Sequence, residues 1–282
     1  MMKRVLLTAA AMLIGLGASA AMAGDISIAT THFKGGDGSF DRAVSDGFTF
    51  GLSNDPPYGF IDPKTNQPDG IDVRALKAMA EKLGIKNLKW EVVQFDALLP
   101  GLLAKRWDSV ILHENEARRK VVAFGSPLYW YGSALAVQKG NPQDIHSFES
   151  LAGKVVGTIR GSLNQQILEA RKDIKELKLY TSNDAEFTDL INGRIDAAME
   201  DDFKVASFVK AHPDENIEMA SGYVPQATEY GYSRFTVRLE DVDLNHALSR
   251  AADEIRADGT MSGILRDFGY SDRNLWYFPT KN

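Results

Sequence analysis

The sequence contains no cysteine, which excludes a disulfide framework and also the lipid-modified cysteine of a bacterial lipoprotein. Positive charge is in short supply as well, because 32 lysines and arginines are outnumbered by 38 aspartates and glutamates. The resulting net charge of -6 argues against nucleic acid or an anionic membrane as the main partner. A hydrophobic content of 44% can fill the core of one large domain or of two smaller ones.

Apolar runs long enough to span a membrane are missing from the sequence after residue 23. Residues 1–23 combine a basic start, a short apolar stretch and a final Ala-Met-Ala, and this pattern predicts a secretory signal peptide cleaved after Ala23. We therefore expect a soluble protein in a Gram-negative periplasm. Residues 24–46 are polar and rich in glycine, which predicts an N-terminal arm or loop.

The sequence also has no recognisable pattern of metal ligands. No EF-hand loop is present, and the five histidines show no ligand-type spacing. These histidines are His32, His113, His146, His212 and His246. A phosphate-binding P-loop is excluded because Gly161 is not followed by Lys-Ser or Lys-Thr. We therefore predict no metal and no cofactor.

The chain does contain a regular alternation of short β-type runs and amphipathic helical stretches. The runs "FTFGLS", "LKWEVV" and "WDSVIL" come first, and the scheme restarts with "KVVGTI", "LKLYTS" and "IDAAME". This order is typical of mainly parallel sheets flanked by helices, so we predict an α/β protein with two lobes. A second-lobe helix is expected from Ser162 to about residue 174, and the helical C-terminal segment is expected to cross back to the first lobe.

The predicted division of the chain follows from this scheme. Lobe 1 comprises residues 47–136 and 234–282, and lobe 2 comprises residues 137–233. The hinge is expected to consist of two crossing strands, near residues 134–139 and 229–235.

Polar residues follow the predicted strands at the ends where such sheets bind ligands. Asp55 follows the first strand, His113 follows the third, and Ser162 follows "KVVGTI". Glu200 and Asp201 end the strand "IDAAMED". We expect these side chains to converge on one cleft between the lobes.

Ser162 and Asp201 each allow a ligand-binding interpretation and a purely structural one. Ser162, with Gln165 three residues later, forms a capping box whose helix N-terminus suits an anion, but the pattern also fits a helix cap alone. Asp201 lies in an acidic strand end that suits a ligand ammonium, but such acids also occur on solvated surfaces. The residues by themselves leave both alternatives open.

Several longer motifs occur in a specific order along the chain. They are "NDPPYGFIDPKTNQPDGIDV", "FDALLPGLLAKRWDSVI", "RRKVVAFGSPLYW", "GTIRGSLNQ", "GRIDAAMEDD" and "ADGTMSGILRDFGY". Together they resemble the periplasmic solute-binding proteins of polar amino-acid ABC transporters, in particular the lysine/arginine/ornithine- and histidine-binding proteins. The resemblance implies the two-lobed type II periplasmic binding-protein fold and a monomer that works with an ABC permease in the inner membrane.

The resemblance also implies ligand-binding roles for particular residues. The arginine six residues before Phe124 in "RRKVVAF" is Arg118, which would bind the ligand α-carboxylate, while Arg119 would be solvated. Ser162 would donate to the same carboxylate, and Asp201 would accept from the α-ammonium. Two aromatic residues, Phe95 and Tyr58, would flank the ligand side chain.

The sequence departs from the family pattern at two of these pocket positions. His113 stands where relatives usually have a small serine or threonine, and Asp55 stands where lysine/arginine-type relatives have a stacking tyrosine. Binding proteins for the zwitterion ectoine look similar at both positions, and ectoine is the alternative ligand. Asp201, which ectoine binders are not expected to keep, favours a polar and possibly basic amino acid or an amino-acid derivative.

The two-lobe layout predicts how ligand binding is signalled. Lobe 1 carries Arg118, Phe95 and Asp55, and lobe 2 carries Ser162 and Asp201, so only a closed form brings all contacts to one ligand. An enzyme is the alternative, because periplasmic cyclohexadienyl dehydratases share this fold, and Glu200 would be the nearest candidate for their general acid. No nucleophile elbow or Ser-His-Asp arrangement is recognisable in the sequence. We therefore predict no enzyme. A sensor that docks on a membrane receptor would use the same cleft.

Overall fold

The computed structural model describes residues 36–225 and 231–276, which form two α/β lobes with a cleft between them. The predicted signal peptide, residues 24–35 of the predicted arm and part of the predicted second hinge segment lie outside the described residues. Within the described ranges, no helix is long and apolar enough to cross a membrane.

The strands, in chain order, are β1 Phe48–Ser53, β2 Phe60–Ile61, β3 Pro68–Asp69, β4 Leu88–Val93, β5 Val110–Ile111, β6 Val122–Tyr131, β7 Ser133–Val137, β8 Val155–Ile159, β9 Glu176–Tyr180, β10 Ala197–Asp201, β11 Glu218–Met219 and β12 Gly231–Arg238. The helices are α1 Ser39–Ser45, α2 Ile71–Leu83, α3 Leu98–Leu103, α4 Glu116–Arg119, α5 Leu163–Glu169, α6 Asn183–Ile191, α7 Asp202–Ala211, α8 Val242–Ala257, α9 Thr260–Asp267 and α10 Arg273–Trp276. This α/β architecture confirms the predicted fold class.

The first lobe is built on two sheet fragments that meet edge to edge. β1 pairs with β4 in parallel, β12 lies antiparallel between β5 and β6, and a bridge between Phe50 and Ser109 joins the fragments. The C-terminal helices α8 and α9 return to pack with α2 in the main core, as the sequence predicted, while α3 packs in a separate cluster around Trp107. These packed helices fix the strand ends that carry the first-lobe site residues.

The second lobe contains a five-stranded sheet in the order β11-β7-β10-β8-β9. β8 pairs in parallel with β9 and β10, whereas β7 is antiparallel to β10 and β11. Leu168 of α5 belongs to one core cluster, and Phe187 of α6 and Val205 of α7 belong to another. Because β8 and β10 run in the same direction, Ser162 and Asp201 at their carboxyl ends face the same cleft.

β6 belongs to the first-lobe sheet and β7 to the second-lobe sheet, so the chain leaves the first lobe at Gly132. It is back in the first-lobe sheet at Gly231, where β12 begins. The lobe boundaries predicted at residues 136 and 233 lie a few residues beyond these two points, inside β7 and β12. The positions of the hinge residues remain a prediction.

Part of the predicted N-terminal arm is a helix and not a loop. α1 buries Ala43 in the first-lobe core. Ser39 of α1, together with Asp37 just before the helix, caps the start of α8. The Ser39 hydroxyl accepts from the Leu244 N–H at 2.9 Å, and the Asp37 carboxylate accepts from the Asp243 N–H at 3.0 Å. The loop prediction was wrong for residues 39–45 because the stabilising partner lies about two hundred residues away in the sequence.

Two predicted elements are shorter than expected. "WDSVIL" yields only the two residues of β5, since Trp107 turns under α3 and its indole N–H donates to the Leu98 carbonyl at 3.0 Å. The helix predicted from Ser162 to about residue 174 ends at Glu169, because Arg171 leaves the helical path and its guanidinium donates to the Phe148 carbonyl.

Candidate functional site

A cavity of about 70 Å³ lies between the carboxyl ends of the strands of both lobes. Six of the predicted site residues line it, namely Asp55, Tyr58, Phe95, His113, Ser162 and Asp201. The arginine Arg118 does not line this cavity; it borders a neighbouring cleft together with Phe95 and Gly161. The strand-end residues therefore converge on one cavity, whereas Arg118 lies in the adjoining cleft.

The turn after β1 presents Asp55 and Tyr58 to the cavity. The turn is closed by the Asp55 N–H, which donates to the Gly59 carbonyl at 2.7 Å. Both side chains are buried, with 8% and 9% exposure, and within the described part of the chain the Asp55 Oδ1 atom and the Tyr58 hydroxyl have no hydrogen-bond partner. Buried polar atoms are normally paired, so these two atoms mark positions where a bound molecule would supply the partner.

Lys204 of α7 occupies the acidic end of the cavity and was not anticipated from the sequence. Its ammonium lies 3.0 Å from Asp55 Oδ2, 3.1 Å from Glu200 Oε2 and 3.9 Å from Asp201 Oδ2. Burial acts to lower the pKa of Lys204, but the three carboxylates outweigh it and hold that pKa well above its ordinary value. Lys204 is therefore charged inside the site.

Glu200 is fully engaged as a hydrogen-bond acceptor. Its Oε1 atom accepts from the Thr158 hydroxyl at 3.1 Å and from the Ile159 N–H at 3.0 Å, and its Oε2 atom accepts from Lys204. Both carboxylate oxygens are therefore held by protein groups, as is usual for a buried structural acid.

Asp201 is the least engaged carboxylate of the acidic group. It ends β10, its side chain is 22% exposed, and its interaction with Lys204 spans 3.9 Å. Burial, together with the charges of Glu200 and Asp55, raises the pKa of Asp201 to about 7, although Lys204 opposes the shift. An approaching cation would restore the charged form, so Asp201 is suited to accept from a ligand ammonium.

Arg118 lies on the short helix α4, whose first turn is capped by the Asn115 side chain, which accepts from the Arg118 N–H at 2.8 Å. The guanidinium is buried, with 7% exposure for the residue, and donates to the His113 carbonyl at 2.6 Å and to the Gly161 carbonyl at 2.8 Å. Gly161 belongs to lobe 2, so this bond crosses the cleft. Arg119, in contrast, is exposed and pairs with Glu114 at 2.7 Å.

Ser162 caps α5 as predicted from the capping box. Its hydroxyl accepts from the Gln165 N–H at 3.0 Å. The Gln165 side chain does not return to the Ser162 N–H; it accepts from the preceding N–H, that of Gly161, at 2.6 Å. Ser162 is therefore both a helix cap and a wall of the cavity, and the two interpretations of the sequence are compatible.

His113 contributes a neutral wall. Burial, together with the nearby charges of Arg118 and Arg234, lowers its pKa to about 4, so the imidazole is uncharged near neutral pH. Its Nδ1 atom lies 3.2 Å from the Tyr131 hydroxyl. The ring also takes the space beside Gly231, where an added Cβ would meet His113 at 1.7 Å.

Aromatic rings that the sequence analysis did not single out form the first-lobe side of the cavity. Tyr129 and Tyr131 lie two residues apart on β6. The centroid of the Tyr58 ring lies 6.3 Å from that of Tyr129 and 5.6 Å from that of Tyr131. Phe203 stacks on Tyr129 at 5.8 Å and thereby brings the start of α7 against lobe 1. The period-two spacing of the two tyrosines was the available signal, since it places both on one face of a strand.

A wider cleft continues from the cavity past Asp55 and Phe95 towards residues 181–184 and has a volume of about 610 Å³. Among residues 36–225 and 231–276, no group of histidines and acids is arranged to hold a metal ion. The site chemistry thus consists of carboxylates, two buried cations, hydroxyls and aromatic rings.

The chain is similar to several known periplasmic binding proteins. The chain is 29% identical over 236 residues to the lysine/arginine/ornithine-binding periplasmic protein of Escherichia coli (strain K12), covering 81% of this chain and 89% of the relative. It is 31% identical over 229 residues to the histidine-binding periplasmic protein of the same strain, covering 77% and 86%. The structure of holo ArgBP from T. maritima matches with a TM-score of 0.70 and 29% identity, covering 77% of this chain and 93% of that chain.

The family model of the bacterial extracellular solute-binding proteins, family 3, matches residues 48–270, which include both lobes and every predicted site residue. The chain therefore belongs to the bacterial extracellular solute-binding proteins, family 3.

Proposed function

We propose that this protein is the extracytoplasmic solute-binding component of an ABC importer and binds a polar amino acid, or a derivative of one, between its lobes. The observation that carries the proposal is the weakly engaged Asp201 carboxylate, which lines the cavity between the lobes, with the buried Arg118 in the neighbouring cleft that shares Phe95 with it. A carboxylate and a guanidinium in adjoining parts of the cleft match the ammonium and carboxylate of an α-amino acid. Relatives named for lysine, arginine, ornithine and histidine support the same ligand class.

Each site residue has a distinct role in this proposal. Asp201 accepts from the α-ammonium, and Arg118 donates to the α-carboxylate with N–H groups that the His113 and Gly161 carbonyls do not use. Ser162 adds a hydroxyl near the carboxylate. The walls formed by Asp55, Tyr58, Phe95 and His113 select the side chain.

The proposed protein is a non-catalytic monomer that delivers its ligand to an inner-membrane permease. Glu200, the nearest candidate for a general acid, accepts three hydrogen bonds and therefore does not suit dehydratase chemistry. We further propose export to the periplasm and cleavage after Ala23. The intact mass of protein from the periplasmic fraction should correspond to a chain that starts at Gly24, and a membrane-bound chain with its N-terminus retained would contradict this.

A thermal-shift screen tests the proposed ligand class. The panel contains the standard amino acids, ornithine, opine-type derivatives and ectoine. A ligand at about 100 times its Kd stabilises a protein by about 2.7 kcal/mol, which produces a clear rise in melting temperature. We expect an amino acid or a derivative to give the largest shift. A shift with ectoine alone would reject the assignment of Asp201 to an α-ammonium.

A further inference from the structure

We propose that Lys204 is a tethered cation that occupies the side-chain cation position of the pocket and restricts the ligand to amino acids without a cationic side chain. This inference rests on the proposed amino-acid function and narrows its ligand class. It separates this protein from relatives whose names include lysine, arginine and ornithine.

The surroundings of Lys204 are those that a cationic ligand side chain would need. Its ammonium bonds to Asp55 and Glu200 and lies 6.0 Å from the ring centroids of both Tyr58 and Phe95. Carboxylates and aromatic faces are the groups that bind ammonium and guanidinium ions in proteins. In this chain, a residue of the protein itself occupies that position.

Lys204 is held in place by its own helix. The neighbouring residue Phe203 is buried in the first-lobe core, where it stacks on Tyr129, and its carbonyl accepts from the Tyr270 hydroxyl at 3.0 Å. The Lys204 side chain is only 6% exposed. A ligand cation could not displace the ammonium into solvent without separating α7 from lobe 1.

Lys204 already holds the acids that a ligand side-chain cation would need. Among the described residues, the carboxylates within 4 Å of its ammonium are Asp55, Glu200 and Asp201. Lys204 lies within hydrogen-bonding distance of Asp55 and Glu200, and Asp201, at 3.9 Å, is the carboxylate left for a ligand α-ammonium. A second ligand cation would meet the Lys204 charge, and like charges in a buried site are strongly unfavourable.

Calorimetry on the full mature protein tests the inference. Kd is measured for each dibasic amino acid (lysine, arginine and ornithine) and for the neutral amino acids, with glutamine and ornithine as a pair of similar size. We expect the wild type to bind its best neutral amino acid at least about tenfold more tightly than any dibasic one. In Lys204→Met, the ratio of the Kd for neutral ligands to the Kd for dibasic ligands should shift by about tenfold or more in favour of the dibasic ligands. Their side-chain cation can then reach Asp55 and Glu200.

Two control variants define the effect. Lys204→Arg keeps the charge and should keep the preference for neutral ligands, and Lys210→Met, which removes an exposed lysine from the same helix, should leave all Kd values unchanged. Circular dichroism shows whether Lys204→Met is folded. If it is not folded, the inference is decided by the wild-type ratio of Kd between neutral and dibasic ligands and by the same ratio in Lys204→Arg.

The possible failures are distinguishable. A wild type that binds a dibasic amino acid as tightly as any neutral one would overturn the role of Lys204 and leave the amino-acid function standing. An unchanged preference in folded Lys204→Met would overturn it as well. If neither the wild type nor the variants bound any amino acid, the proposed function itself would fall, and this inference with it.

Discussion

Adjacent residues of this chain have very different environments, and Arg118 and Arg119 are the clearest pair. One turn of α4 directs Arg118 into the protein, where it bonds to two main-chain carbonyls, and leaves Arg119 in solvent with Glu114. A buried cation contributes through desolvated hydrogen bonds, whereas an exposed ion pair contributes little. The two arginines therefore form a natural matched pair for mutagenesis.

Arg118→Ala should abolish most ligand binding, while Arg119→Ala should change it little. Removing one partner of a buried charge pair costs roughly 2–5 kcal/mol, which is more than about tenfold in Kd. Calorimetry with the best ligand from the thermal-shift screen measures both variants. Equal losses in the two variants would show that Arg118 does not contact the ligand.

Ligand affinity should depend on pH through Asp201. Burial raises the pKa of Asp201 to about 7 in the closed arrangement without ligand, and a ligand ammonium favours the deprotonated form, so binding releases a proton below that pH. Kd should therefore rise by about tenfold between pH 8 and pH 6. Isothermal titration calorimetry across this range measures the change.

Asp202→Asn is the control for this pH dependence. Burial also raises the pKa of Asp202 to about 7, but Asp202 accepts from the Phe203 N–H and does not line the cavity. The dependence of Kd on pH should persist in Asp202→Asn and disappear in Asp201→Asn. A slope that persisted in Asp201→Asn would assign the proton to another group, such as Asp72, whose pKa burial also raises to about 7.

At the level of secondary structure, the helices are capped partly by residues far away in the sequence. α5 is capped locally by Ser162, as its sequence predicted. The first turn of α8 is capped instead by Asp37 and Ser39, and the Asp243 carboxylate in turn accepts from the Gly38 N–H at 3.1 Å. α1 and α8 thus satisfy each other's free N–H groups, which explains why a short N-terminal segment is helical.

Ser39→Ala should lower the free energy of unfolding by about 1 kcal/mol, because the buried Leu244 N–H loses its acceptor. Ser45→Ala removes an exposed hydroxyl from the same helix and should change it by less than about 0.5 kcal/mol. Urea denaturation measures both, and ligand Kd should stay the same in both. Equal stability of the two variants would mean that α1 does not cap α8.

For the whole molecule, the closed arrangement depends on contacts that cross the cleft. Arg118 donates to the Gly161 carbonyl, Lys204 pairs with Asp55, and an exposed Asn115 amide lies 3.4 Å from the side-chain oxygen of Gln166. The third contact is exposed, while the buried ring of Phe203, which stacks on Tyr129, adds an apolar contact between the lobes. Two residues of the proposed ligand site, Arg118 and Asp55, thus also hold the lobes together.

Ligand binding should shift the lobes towards the closed form in solution. Small-angle X-ray scattering is expected to show a smaller radius of gyration with saturating ligand than without it. Arg118→Ala should show a smaller change at the same ligand concentration, since it loses both a ligand contact and a contact between the lobes. No change in the wild type would contradict closure as the signal read by a permease.

The sequence alone determined the two α/β lobes, most strand and helix positions and four of the residues around the cavity, namely Asp55, His113, Ser162 and Asp201. These features follow from local periodicity, capping patterns and strand ends, all of which are read within short stretches. The family motifs added Phe95, Tyr58 and Arg118; no local pattern could show the burial of Arg118 beside solvated Arg119.

Tertiary structure alone decided the remaining features. Lys204 follows Glu200 by four residues, but Glu200 lies in β10 and Lys204 on α7, so no helical spacing pairs them. The packing of Phe203 against lobe 1 places the Lys204 side chain in the cavity. The same holds for Ser39, whose partner lies 205 residues away. Such pairings depend on which surfaces meet after the chain has crossed between the lobes, and local sequence does not encode that meeting.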